Sequence, residues 1–322
     1  MTKPSPQLAL IALMAVAVGL AMSFGVCTQD DAFISFRYAE HLAEGHGLVY
    51  NVGERVEGFT NLSWTVLFGV IMALGGEPVM ASVLLGWVSI VALVAVTWRF
   101  ANQQLSPWSA VVAAAFVASD AQMILEGVEG LETVAYATLV TLGVMTGWRD
   151  GGGAKSAGWF AVATLTRPEA PLLWVATQLG LWLRDGELSD RFNDAVRSVW
   201  PLVLIVVALT AWRLQYYGDW LPNTFYAKTG GFAVSRGASY LLTHVLTHPV
   251  LWLGVVASVW MVPRRTRALG AVIAVLCAYI VWVGGDFKPT GRFVIPVLPV
   301  LAVLAAAFLE AVWAKPAVRR GV

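Results

Sequence analysis

Two adjacent carboxylates, Asp30 and Asp31, open the run QDDAFISFRYAEHLAEGHGLVYNVGERVEGFTN, directly after an apolar segment long enough to cross a bilayer. The spacing predicts a helix over DDAFISFRYAEHLAEG, with Asp30 near its start, where the helix dipole favours a negative charge. Asp30, Arg37, His41 and Glu44 recur at seven, four and three residues and share one stripe, while Phe33, Phe36 and Ala43 point elsewhere. That pattern describes an interfacial helix lying on the membrane surface, apolar side down. Two uses of the acidic pair stay open: an aspartate cap on an anchoring helix, or a carboxylate placed to take a proton.

Further polar islands follow. GERVEGFTN adds Arg55, Glu57 and Asn61 before the next apolar run, with Gly53 and Gly58 suited to tight turns; EGVEGLET contributes Glu132. In TRPEA, Arg167 and Glu169 flank Pro168 within an apolar stretch, where an ionisable group costs about 2.5 kcal/mol or more unless it faces a cavity or a partner. An ion pair bracing a helix break and a ligand contact are equal readings there. RLQYYGDWLPNTFYAKTGG sets Asn223 and Lys228 among tyrosines and a tryptophan of the kind that anchor at membrane interfaces. GGDFKPTGRF brings Asp286, Lys288 and Arg292 to the end of a span, where the two cations either hold a lipid phosphate or snorkel.

The elements that must position these residues are apolar helices. The 322 residues are 58% hydrophobic and 13% charged, with a mean hydropathy of +0.70, outside the range of soluble domains. Net charge is +1, which gives no sign of nucleic-acid binding, and Cys27 and Cys277 lie at or inside apolar runs, so no disulfide framework is suggested. Expected spans are 8–26, 62–75, 79–98, 108–125, 131–148, 157–166, 168–183, 199–214, 250–262, 268–283 and 294–313. The first is read as a retained span rather than a secretory signal, because apolar runs recur along the chain. The second is a partial crossing, and 157–166 is cut by TRPE. Lysine and arginine between spans place Arg99, WRDGGGAK, RDGELSDRFNDAVR, RRTR and both termini in the cytoplasm, leaving the polar islands outside. The expectation is an all-α polytopic membrane protein of about 10–11 transmembrane segments, a single domain over 1–322 with an interfacial helix in a first extracytoplasmic loop at 28–61.

Taken in order, DDAFISFRYAEHLAEGHGLVYNVGERVEGFTN, GLET, LTRPEA, YYGDWLPNTFYAKTGG and GGDFKPTGRF resemble the bacterial GT-C membrane glycosyltransferases related to the terminal arabinofuranosyltransferases (the AftB family) of mycobacterial cell walls. The resemblance covers most of the chain and implies a GT-C-like bundle in the bacterial cytoplasmic (inner) membrane. It implies an enzyme that moves a sugar from a polyprenyl-phosphate donor to a lipid or glycan acceptor on the extracytoplasmic side. In such enzymes an acidic motif in the first outward loop serves the reaction, and here it maps to Asp30 and Asp31. Members of the group often continue into a soluble outer domain; none is expected here after KPAVRRGV, which puts transfer to a large glycan in doubt.

The residues fit that chemistry. A hydroxyl acceptor needs a carboxylate as general base, with Asp31 preferred over Asp30, whose side chain diverges from it by about 100 degrees on a helix. The leaving lipid phosphate needs outward cations: Lys228, Lys288 and Arg292 first, then Arg37 and Arg55. His41, Glu57, Asn61, Glu132, Arg167, Glu169, Asn223 and Asp286 are the expected substrate-binding residues. A monophosphate can be held by arginine and lysine alone, so no metal or other cofactor is required; a divalent metal is compatible with the sequence but not indicated, since His41 and His46 form no ligand cluster. The rival functions are a non-catalytic or accessory GT-C homologue and a membrane transporter, the latter needing midplane polar groups and an internal symmetry that the sequence does not display.

Overall fold

The structure, a computed structural model, describes residues 5–186, 188–224, 234–286, 288 and 291–314; Lys228 lies outside them. Among the described residues the regular elements are all helical: α1 (Pro6–Ser23), α2 (Asp30–Ala43), α3 (Leu62–Ala73), α4 (Pro78–Ala101), α5 (Pro107–Ala118), α6 (Ala121–Val128), α7 (Thr133–Asp150), α8 (Ala154–Thr166), α9 (Ala170–Asp185), α10 (Leu188–Ser198), α11 (Trp200–Tyr216), α12 (Val234–Thr247), α13 (Pro249–Met261), α14 (Arg264–Arg267), α15 (Gly270–Val283) and α16 (Leu298–Trp313), with a 3-10 segment at Arg292–Val297. Proline in the first turn opens α1, α4, α5, α11, α13 and α16, where its missing N–H leaves no bond unmade. Ser5, Glu77, Ser106 and Asp120 cap their helices through side-chain oxygens.

Packing between these apolar helices depends on small residues, because lipid is as apolar as leucine and gives little hydrophobic drive for association. A Cβ on Gly254 of α13 would lie 2.7 Å from the Cα of Ala305, so these two helices meet almost backbone to backbone. Gly86 of α4 likewise abuts the Gly127 carbonyl of α6 and leaves no room for a side chain. The run Ala305–Ala307 lies in α16, which with the 3-10 segment makes the most buried of the long apolar spans, 78% inside the protein. Leu8, Ile11, Leu204, Val207, Leu253 and Trp260 remain exposed, as expected of a lipid-facing surface.

Most predicted spans match a helix, with informative differences. Among the described residues, four segments are long and apolar enough to cross a membrane, or up to seven if each bent pair counts as one span. The expected spans outside that number are α3, α7, α8 and α9. At 12 residues α3 is about 18 Å long, short of the hydrocarbon core, as its reading as a partial crossing requires. The expected single span 108–125 is two helices bent by 57°, because Asp120 accepts the Met123 N–H at 2.7 Å and starts a new helix. A 98° bend separates α12 from α13 at His248–Pro249, and the connector RDGELSDRFNDAVR contains α10.

The first loop also departs from its expected form. The cap of α2 is Gln29, and Asp30 and Asp31 occupy the first turn, so the pair acts on the helix dipole and does not cap. His41, placed by spacing on the stripe of Asp30 and Arg37, is 2% exposed. The apolar residues Ala32, Phe36 and Ala39 pack against Trp64 and Phe68 of α3 rather than facing lipid, with the Phe36 and Phe68 rings edge to face at 4.8 Å. The helix is thereby a fixed arm of the bundle, held by α3.

Candidate active site

Four of the breaks between helices, those before α3, α7, α9 and the 3-10 segment, contribute polar residues to one connected network. Asn61, ahead of α3, shares hydrogen bonds of 3.1–3.2 Å with Ser35 of α2 and donates to Glu132 Oε2 at 2.8 Å. Glu132, at the start of α7, meets Arg167 at 3.4 Å and Arg292 at 3.7 Å. Arg167, in the α8–α9 break, donates from Nε to Glu169 Oε1 at 2.6 Å and lies over the Tyr136 and Phe293 rings at 5.6 and 5.5 Å. The ion-pair reading of TRPEA therefore holds, and the pair extends to Glu132. Arg292, opening the 3-10 segment, meets Glu126 Oε2 at 3.3 Å and Asp286 Oδ2 at 3.7 Å, and donates to Thr133 Oγ1 at 3.2 Å. Lys288 meets Glu126 Oε1 at 3.0 Å and makes a close ion pair with Glu129. Each of these charges is buried or nearly so, which is tolerable only because each has a partner.

Glu126 and Glu129 were not picked out by the sequence reading, although EGVEGLET places them three residues apart and so on one helical face. They change the character of the cations. Lys288 and Arg292, expected as an open positive rim, stand among carboxylates: Glu126, Glu129, Glu132 and Asp286. Burial, with Glu126 adding to it, pushes the Glu129 carboxyl above the ordinary range, while the Lys288 ammonium pulls the other way.

The acidic pair of α2 lies beside this network. The Gln29 N–H donates to the Glu129 carbonyl at 3.0 Å, and Trp64 Nε1 donates to the Gly130 carbonyl at 3.0 Å, so the start of α2 rests on the turn that holds Lys288. Gly130 has φ +85° and sits within 3.1–3.2 Å (as a Cβ would) of Ala32 and Thr28 side chains, a close approach that suits glycine alone. Asp30 is exposed and Asp31 half-buried, and neither forms a hydrogen bond or ion pair with the described residues. Their oxygens are thus available to something outside the chain.

The remaining predicted residues divide differently. Glu57 is buried in a two-pronged pair with Arg213 of α11, a partner the sequence reading passed over, and its backbone carbonyl accepts from the Asn223 N–H at 2.9 Å. Burial raises the Glu57 carboxyl, opposed by Arg213. His41 Nδ1 bonds the Val49 carbonyl at 2.9 Å and thereby shapes the loop. Arg37 is exposed and pairs with Glu40 at 2.6 Å; Arg55 is exposed, 4.7 Å above the Tyr216 ring. Asn223 is exposed. His41, Glu57 and these surface cations join none of the ion pairs around Glu132 and Glu126.

No family model matches the chain. It is 26% identical to the terminal beta-(1->2)-arabinofuranosyltransferase of Corynebacterium glutamicum over an alignment 329 residues long with its gaps, which takes in 85% of this chain and 46% of that protein. The chain therefore spans less than half the length of this curated relative. Its fold is similar to that of ArnT from Cupriavidus metallidurans, with a TM-score of 0.68 and 16% identity for the apo structure, covering 93% of this chain and 59% of ArnT. For the ArnT structure bound to undecaprenyl phosphate the TM-score is 0.64, with 15% identity and coverage of 93% and 60%. The resemblance carried by the polar islands and the likeness of fold point the same way: this is a multi-pass membrane protein, helical throughout its described elements, with a fold similar to that of ArnT and a sequence similar to that of a terminal arabinofuranosyltransferase.

Proposed function

We propose that the protein is a membrane glycosyltransferase that moves a sugar, arabinofuranose being the first choice, from a polyprenyl-phosphate donor to an acceptor hydroxyl on the extracytoplasmic face of the bacterial inner membrane. The observation that carries the reading is the unpartnered Asp30–Asp31 pair directly after Gln29, whose N–H bonds the carbonyl of Glu129, the residue whose carboxylate pairs with Lys288. In the reaction Asp31 accepts the proton of the acceptor hydroxyl as its oxygen bonds to the anomeric carbon. The bond from that carbon to the phosphate oxygen breaks, and the electron pair leaves with the polyprenyl phosphate, which gains a negative charge.

Lys288 and Arg292 answer that charge, with Lys228 as a further cation. Because both are already paired, the phosphate competes with Glu129 and Asp286 for them. Glu132, Asn61 and Arg167 keep α2, α3 and α7 in register around the reacting groups.

The deciding experiment measures transfer from a purified polyprenyl-phosphate sugar by the full chain in detergent, beside mass spectrometry of envelope glycans with and without the gene. Asp31→Asn should abolish transfer while insertion in the membrane persists, and Asp30→Asn should be milder or equal. Full turnover in both variants would remove the base from the mechanism. Neutralising Lys288 or Arg292 should weaken donor binding, and unchanged donor affinity would exclude them.

A further inference from the structure

Apart from the ionic network, the first loop forms an open cavity of about 340 Å³, lined by Ile34 and Tyr38 of α2 and by Tyr50, Asn51, Glu54, Val56 and Gly58. Its construction is specific. Tyr38 is 1% exposed and closes the floor, its hydroxyl donating to the Val56 carbonyl at 2.7 Å and accepting from the Gly58 N–H at 2.9 Å. Tyr50, 46% exposed, stands as a wall with its ring centre 5.8 Å from that of Tyr38. At the rim Asn51 Nδ2 donates to Glu54 Oε2 at 3.1 Å, and the Asn51 Oδ1 and Glu54 Oε1 atoms take no hydrogen bond from the described residues.

The chemistry of this lining selects its ligand. An aromatic wall offers an apolar face to the C–H side of a sugar ring, and an amide paired with a carboxylate accepts hydroxyl protons around its edge. One carboxylate and no cation line the cavity, which disfavours a phosphate or a carboxylated lipid headgroup. Position adds the second argument. Asp31, Ile34 and Tyr38 lie at i, i+3 and i+7 and so on one stripe of α2, which puts the cavity floor about 10 Å along the helix from the Asp31 carboxylate, roughly the length of two linked sugar rings.

Resting on the transferase reading above, we propose that this cavity is an acceptor subsite that binds a neutral oligosaccharide, holding the ring one or two units away from the hydroxyl that Asp31 deprotonates. Tyr50 stacks on that ring, Asn51 and Glu54 bond its hydroxyls, and Tyr38 sets the depth. The acceptor is thereby positioned before the donor arrives.

The test uses the full chain in detergent without donor, an octyl-capped linear tri-arabinofuranoside as probe, octyl phosphate as control, and saturation-transfer NMR titration as readout. Wild type should bind the glycoside and not the phosphate. Tyr50→Ala should weaken binding about tenfold, and Tyr50→Phe should restore it because the stacking face survives. Asn51→Ala and Glu54→Gln should each weaken it severalfold. In turnover assays Tyr50→Ala should raise the acceptor KM and leave kcat nearly unchanged. Equal binding by wild type and Tyr50→Ala, equal binding of octyl phosphate, or no binding of the glycoside would overturn the subsite. Asp31→Asn separates the two readings: it should bind the probe as wild type does while losing transfer, so a failure at Tyr50 with Asp31 still essential overturns the subsite alone.

Discussion

Two groups of carboxylates in the molecule live under opposite conditions. Asp30 and Asp31 sit on the first turn of α2, accessible and without a protein partner, where the helix dipole favours their charge. Glu126, Glu129 and Glu132 are 0%, 8% and 3% exposed, wrapped around Lys288, Arg292 and Arg167. A buried ion pair gives little net stability, but removing one member leaves the other uncompensated. The buried group is thus suited to holding three chain breaks together, and the accessible group to exchanging a proton with a substrate.

That contrast can be broken by experiment. The largest effect is expected on turnover: Asp31→Asn should lower it about 10²–10⁴-fold, with a melting temperature in detergent close to that of wild type. A matching loss of stability would mean that Asp31 belongs to the framework after all. Arg292→Leu should do the reverse and lower stability by about 3–5 kcal/mol, since Glu126 would keep its burial and lose a cation, and thermal unfolding reads this directly. The pH response sharpens the comparison further. The folded-state pKa of Glu129 is raised by burial, so its stabilising contribution is fully present below the unfolded carboxyl value and is lost as pH rises through the folded one. Glu129→Gln should therefore flatten the dependence of the melting temperature on pH across the weakly acidic range. Asp30→Asn should give the smallest change, about 0.3–1 kcal/mol from the helix dipole, measured by the same unfolding assay.

Much of this site was legible residue by residue. The amphipathic spacing in DDAFISFRYAEHLAEG located α2, and the charges in TRPEA and GGDFKPTGRF marked helix ends, because an apolar chain rarely tolerates ionisable groups without a reason. Pairings were harder to read. Arg213 resembles an interfacial arginine at the end of a span until its contact with Glu57, 156 residues away in sequence, is seen. His41 belongs by periodicity to a solvent stripe, yet the loop that follows α2 folds back and its Val49 carbonyl takes the ring N–H, which buries the side chain. Asp120 carried no motif, and it caps α6 and meets His248 Nε2, at the 98° bend, at 3.0 Å.

The sequence by itself determined an apolar helical chain, a membrane setting, and a restricted set of polar islands, since these depend on composition and on periods of a few residues. Tertiary structure decided which charges face one another: Lys288 with Glu126 and Glu129, Arg292 with Glu126 and Glu132, Arg213 with Glu57. Coulomb energy between side chains depends on distance and burial rather than on separation along the chain, so only the packed bundle could show which cations are paired and which aspartates take no partner among the described residues.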